Sequence, residues 1–207
     1  MSSVRNLLLS AGLVVAGIVA GQTVASAQDC GGEYPPPPGT PSHCIIIDGV
    51  KVWVDINGDP VPGTSEGGAT FVAGEPIKQP CGTTQQAQSF EVKVRTKEFG
   101  TVTTTLDEER QRKYNPLTTI VGNNPKDPNA PFPANADINV YLKAEAEAFP
   151  GKVFYSKDVV TLSSGEVRGF PFKEEGFTLR EGISFVTEDG EYAFSLAETK
   201  VILNTEQ

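Results

Sequence analysis

The chain has one histidine, one tryptophan, one methionine and three cysteines among 207 residues, so few of its side chains suit nucleophilic or metal chemistry. The histidine, His43, stands beside Cys44. In a strand neighbouring side chains point to opposite faces, so the two cannot pair as base and nucleophile, and His43 reads as a solvated edge residue. Three scattered cysteines and one histidine do not make a zinc set either. Basic clusters are missing: 17 Lys and Arg are interspersed with 26 Asp and Glu, for a net charge of −9. An acidic, evenly charged surface excludes nucleic acid and anionic lipid as partners. Strong helix signals are scarce, and past residue 27 no apolar run approaches the roughly 20 residues needed to span a bilayer.

The N-terminus has the layout of a secretion signal. Arg5 supplies the positive charge, Leu7 to Ala20 is an uncharged apolar run, and Ala25-Ser26-Ala27 offers small residues for cleavage after Ala27. Residues 1–27 are therefore expected to be a signal peptide and the protein to be secreted, periplasmic or extracellular, with no membrane insertion of the mature chain. Cleavage removes one base and no acid, which leaves 16 basic against 26 acidic residues, a net of −10. Residues 28–43 read as a proline-rich extended arm, because Pro35 to Pro38 favour polyproline II and offer a sheet no donors. Residues 44–207 then form a single domain.

Export permits a disulfide, and three thiols leave one over. Cys30–Cys44 would close a loop around the prolines, while Cys44–Cys81 would tie the first strand to a later loop. Spacing does not choose between them; Cys44–Cys81 is the pairing carried forward.

Asp137 to Phe149 organises the rest. Ile138, Val140, Leu142, Ala144, Ala146 and Ala148 fall on one parity, and Asn139, Tyr141, Lys143, Glu145 and Glu147 on the other. Ala and Glu favour helix, but a helix would scatter these apolar positions around its circumference, so the alternation predicts a long half-buried strand. Similar two-residue periods recur through Phe90–Arg95, Val102–Leu106, Val153–Leu162, Val167–Phe172, Ile183–Thr187 and Tyr192–Leu203. A bulge near Glu198 is needed to reconcile Phe194 and Leu196 with Val201 and Leu203. Asp48-Gly49 reads as a hairpin turn inside Cys44–Ile56, Asn57-Gly58 as a second turn and Ser163-Ser164-Gly165 as another. Residues 60–70 read as a loop, Asp107–Tyr114 as a short helix or an exposed connection, and Asn115–Pro133 as a long surface loop. Many short strands with turns between them predict an all-β antiparallel sandwich, with an open β-barrel as the alternative.

The most specific local pattern is Asp55-Ile56-Asn57-Gly58-Asp59 with Glu66 beyond it. Oxygen side chains at positions 1, 3, 5 and 12 match a calcium loop, although Pro60 stands where such loops need Gly. Asp127, Asn129 and Asp137 are a weaker second set. Trp53 shares its parity with Lys51 and Asp55, so it is a candidate for stacking on a sugar ring. Glu145 and Glu147, about 7 Å apart by strand rise, are a solvated pair rather than a catalytic one. These observations predict a non-enzymatic exported subunit of a surface, matrix or filament, working through protein partners or self-assembly. The alternative is a secreted binding module for a glycan or calcium, followed by a carboxylate hydrolase. No cofactor beyond calcium is implied.

Overall fold

The computed structural model describes residues 34–56, 59–78, 80–97, 100–170, 172–179, 181–197 and 200–205, with backbone alone for 46–56, 59, 60 and 200. The expected signal peptide, residues 1–27, lies outside them.

Thirteen strand segments form a single antiparallel sheet that closes on itself. Three long strands come first: β1 (Pro41–Ile56), β2 (Asp59–Ile77) and β3 (Gly82–Thr96). Five interrupted ones follow. β4 (Gly100–Leu106) and β5 (Thr118–Gly122) flank the helix α1 (Glu108–Tyr114); then come β6 (Ala134–Val140) with β7 (Leu142–Ala146), and β8 (Phe154–Ser156) with β9 (Val160–Val167). The last two pairs are β10 (Glu175–Leu179) with β11 (Ile183–Val186), and β12 (Tyr192–Ala197) with β13 (Lys200–Thr205). Within each pair one half bonds to the corresponding halves on either side: β7 lies between β4 and β8, and β6 between β5 and β9. The thirteen segments are thus eight staves of an up-and-down barrel. The last stave returns to the first, with Ala197 opposite Trp53 and Thr205 opposite Cys44.

The expected sandwich therefore gives way to the alternative, a β-barrel, and the barrel is closed rather than open. Both folds need alternating faces, and only the bonding of β1 to β12 and β13 separates them. Other boundaries shift for related reasons. Asp48-Gly49 does not turn the chain; it lies inside β1, where the register with β2 slips between Ile46 and Val50. Residues 60–70 belong to β2, bonded on both sides, so pairing overrides their glycine and proline content. At Gly67, with φ +150, an added Cβ would collide with the Glu91 carbonyl, so only glycine allows the neighbouring backbone to come so near. Ser163-Ser164-Gly165 lies within β9 and is not a turn. Thr118–Gly122, expected in a surface loop, is β5, and Ile120 is fully buried. The Asp107–Tyr114 run does form a helix. Asp107 caps it by accepting from Arg110 N at 3.1 Å, and Asn115 ends it in a left-handed conformation.

The organising stretch alternates as expected from Ile138 to Ala146, with Ile138, Val140, Leu142, Ala144 and Ala146 buried along one stave, but the strand ends at Ala146 and Ala148 is exposed in the turn that follows. Its break at Tyr141 is made by α1, since Gln111 Oε1 accepts from Tyr141 N at 3.1 Å while Asp107 N donates to Tyr141 O at 2.9 Å. Buried residues also change parity between Leu196 and Val201, across residues 198 and 199, which lie outside the description.

Aromatic rings fill both ends of the barrel. Where β7 leads to β8 and β11 to β12, Phe149, Phe154, Phe194 and Phe185 form a chain with centroids 4.9–5.6 Å apart. At the other end Phe170, Phe172 and Phe177 stack edge to face, and Tyr34 packs on Phe132 at 4.9 Å. Tyr34 also donates to the Ile120 carbonyl at 3.2 Å. The part of the proline-rich arm that is described, 34–43, is thus docked onto the barrel rather than free of it, and β1 begins within it at Pro41.

Candidate ligand cavity on the barrel axis

Between the two aromatic clusters the inward side chains are mainly aliphatic, with Phe71 and Phe90 among them, and a cavity of about 60 Å³ remains on the axis. Described side chains from seven staves line it: Ala69 and Phe71 from β2, Phe90, Val92 and Val94 from β3, Thr104 from β4, and Ile138 and Leu142 from β6 and β7. Val160, Leu162, Leu179, Ile183, Leu196, Val201 and Leu203 complete the far wall, and Ser65 joins Thr104 as a second hydroxyl. No charged side chain lines it among the described residues. Eight staves give an interior wide enough for side chains or for one small ligand. An apolar void of this kind stays dry and accepts apolar guests.

Most of the charge among the described residues lies on the outside. Across β3, β4 and β7 the outward positions read Lys93, Thr103 and Glu145 in one row and Arg95, Thr101 and Glu147 in the next. Lys93 Nζ pairs with Glu91 at 3.1 Å, and Glu147 Oε2 accepts from Thr101 N at 2.9 Å. Glu145 and Glu147 are exposed. Among the described residues two carboxylates are buried, and both are committed to backbone donors: Asp107 caps α1, and Glu175 accepts from Arg168 N at 3.0 Å.

The calcium set is not assembled as its spacing suggested. Glu66 lies on β2 and is ion-paired with Arg95. Seven residue steps of extended chain separate it from Asp59, about 23 Å of strand, whereas ligands of one calcium lie within about 5 Å of each other. Asp55 faces Pro60 across β1 and β2, and Asn57 lies outside the described residues. In the second set Asp127 accepts from Asn129 N at 3.0 Å and Asp137 from Ser163 at 2.5 Å. No cluster of three or more His, Cys, Asp or Glu side chains suited to a metal occurs among the described residues. Trp53 lies in β1 opposite Pro62 and Ala197. His43 is exposed and meets Thr70 Oγ1 at 3.0 Å.

The expected Cys44–Cys81 bridge is also corrected. Cys44 is a free, buried thiol, 3.8 Å from Thr205 Oγ1, and burial raises its pKa. It pairs with Ala69 midway along β2, whereas Cys81 follows the end of that strand. The gap is roughly 25 Å of extended chain, against the 4.4–6.8 Å that a disulfide spans between Cα atoms. Cys81 is disulfide-bonded.

The cavity was not foreseen from the sequence. The one available signal is Thr104, a polar residue on the inward parity of Val102 and Leu106.

No family model and no curated protein matches the chain. A solved structure does: DynF, from the dynemicin biosynthesis pathway of Micromonospora chersina, superposes with a TM-score of 0.62 over 82% of each chain at 14% identity. At that identity the likeness is one of fold. The expectation of a surface, matrix or filament subunit is corrected against this match: the described sheet is the closed barrel shared with that protein, and among the described residues it leaves no long edge for subunits to extend.

Proposed function

We propose that this chain is an exported, non-enzymatic barrel that binds one small, mainly apolar molecule on its axis. The supporting observation is the axial cavity, where side chains from seven described staves converge on a void with an apolar lining. A core built only for stability would close such a space, since an unfilled void forfeits contacts on every side. The fold it shares with a protein of a biosynthesis pathway agrees with a role in handling small molecules. The charged outer face keeps the barrel soluble.

Toluene tests the reading. Saturating guest stabilises a folded host by about 2.7 kcal/mol at a hundredfold excess over Kd, so the melting temperature should rise by several degrees. Ala69→Phe places a ring in the void, at an overpacking cost of about 1–3 kcal/mol, and should abolish that rise while the protein still folds. Equal behaviour of the two proteins would end the proposal.

A further inference from the structure

Buried hydroxyls are nearly always paired. Three buried side-chain atoms have no hydrogen-bond partner among the described residues: Gln85 Nε2, Thr104 Oγ1 and Asp107 Oδ2. Asp107 Oδ2 faces Arg110 Nε at 3.9 Å, and Gln85 does not line the cavity. Thr104 is different. It is 2% exposed, lines the axial void, and sits in β4 opposite Val92 and Ala144, with Val102 and Leu106 on either side along the strand. A valine would fill the same space without desolvating a hydroxyl. A water would gain little there, because it needs two to four polar partners and among the described residues the lining offers Thr104 and Ser65.

Resting on the cavity reading, we infer that Thr104 Oγ1 is the polar anchor of the barrel's ligand, a neutral, ring-sized apolar molecule carrying one hydrogen-bonding oxygen. Size follows from the void, which at ~10–15 Å³ per water-sized position holds about one small ring. Neutrality follows from the lining: a carboxylate or ammonium guest would enter with no charged partner among the described residues. The oxygen is the atom that satisfies Thr104, whose hydroxyl can donate to a carbonyl or exchange bonds with an alcohol.

Phenol, toluene and benzoate differ in this one feature, and NMR titration of wild type and Thr104→Val reads it. Phenol should bind the wild type about three- to tenfold more tightly than the variant, the factor one neutral hydrogen bond supplies. Toluene should bind both proteins alike, and benzoate neither. Thr104→Ser, which keeps the hydroxyl, should retain the phenol preference, and Thr104→Ala should lose it even if Thr104→Val folds poorly. If phenol binds all four proteins equally while toluene also binds, the anchor is wrong and the cavity stands. If no guest binds the wild type, the cavity reading and the anchor fall together. Benzoate binding more tightly than phenol would overturn neutrality.

Discussion

Tyr34 shows how one side chain ties the start of the described chain to the barrel. Its ring is buried against Phe132, its hydroxyl is bonded to Ile120 O, and burial raises its pKa above the ordinary 10.0. In the unfolded chain the phenol loses its proton near pH 10, while in the folded chain it keeps it, so the unfolded state binds fewer protons above that pH. The stability this group contributes is complete below pH 10 and is lost as pH rises further. Cys44, also raised by burial, acts in the same direction from 9.0 upward. Tyr34→Phe should cost about 1 kcal/mol at pH 7 through the lost hydrogen bond and should flatten the decline in melting temperature between pH 9.5 and 11. An unchanged alkaline slope would show that the phenol is not the titrating group. Nothing in the sequence marked Tyr34 as a core residue, since it precedes four prolines and its partners are distant in the chain.

At the scale of elements, β2 carries the clearest conflict between composition and structure. Its glycines and prolines argue for a loop, yet it is bonded along its length to β1 and β3. Gly67 shows why, because the backbones approach too closely there for any Cβ. Gly67→Ala should therefore destabilise by on the order of 2–3 kcal/mol through positive-φ strain and the clash with Glu91, measured by urea denaturation; a loss under half a kcal/mol would mean that β2 can shift to admit it. α1 was readable only as an alternative, because D-E-E-R-Q-R-K-Y suits an exposed connection as well as a helix. Its place in the fold depends on Gln111 reaching Tyr141 in another stave.

For the whole molecule, closure is the property that matters most. A chain ending after Val186 lacks β12 and β13 and would leave β1, β10 and β11 each with an open edge. It should lose its cooperative melt and aggregate, as judged by near-ultraviolet circular dichroism and gel filtration. A cooperative melt in the shortened chain would show that the remaining staves suffice. The cavity belongs to this scale as well, since no two neighbouring strands enclose it.

Alternation along the chain determined by itself that the protein is built of antiparallel strands and which residues turn inward over Phe90–Val94, Val102–Leu106 and Ile138–Ala146. Those properties are local, set by the two-residue repeat of a strand. Only the tertiary structure decided that the sheet closes, that Cys44 and Cys81 stand far apart, that Glu66 lies away from Asp59, and that Thr104 faces a void. Each of these depends on the register between staves remote in sequence, and side-chain parity is the same whichever strand becomes the neighbour.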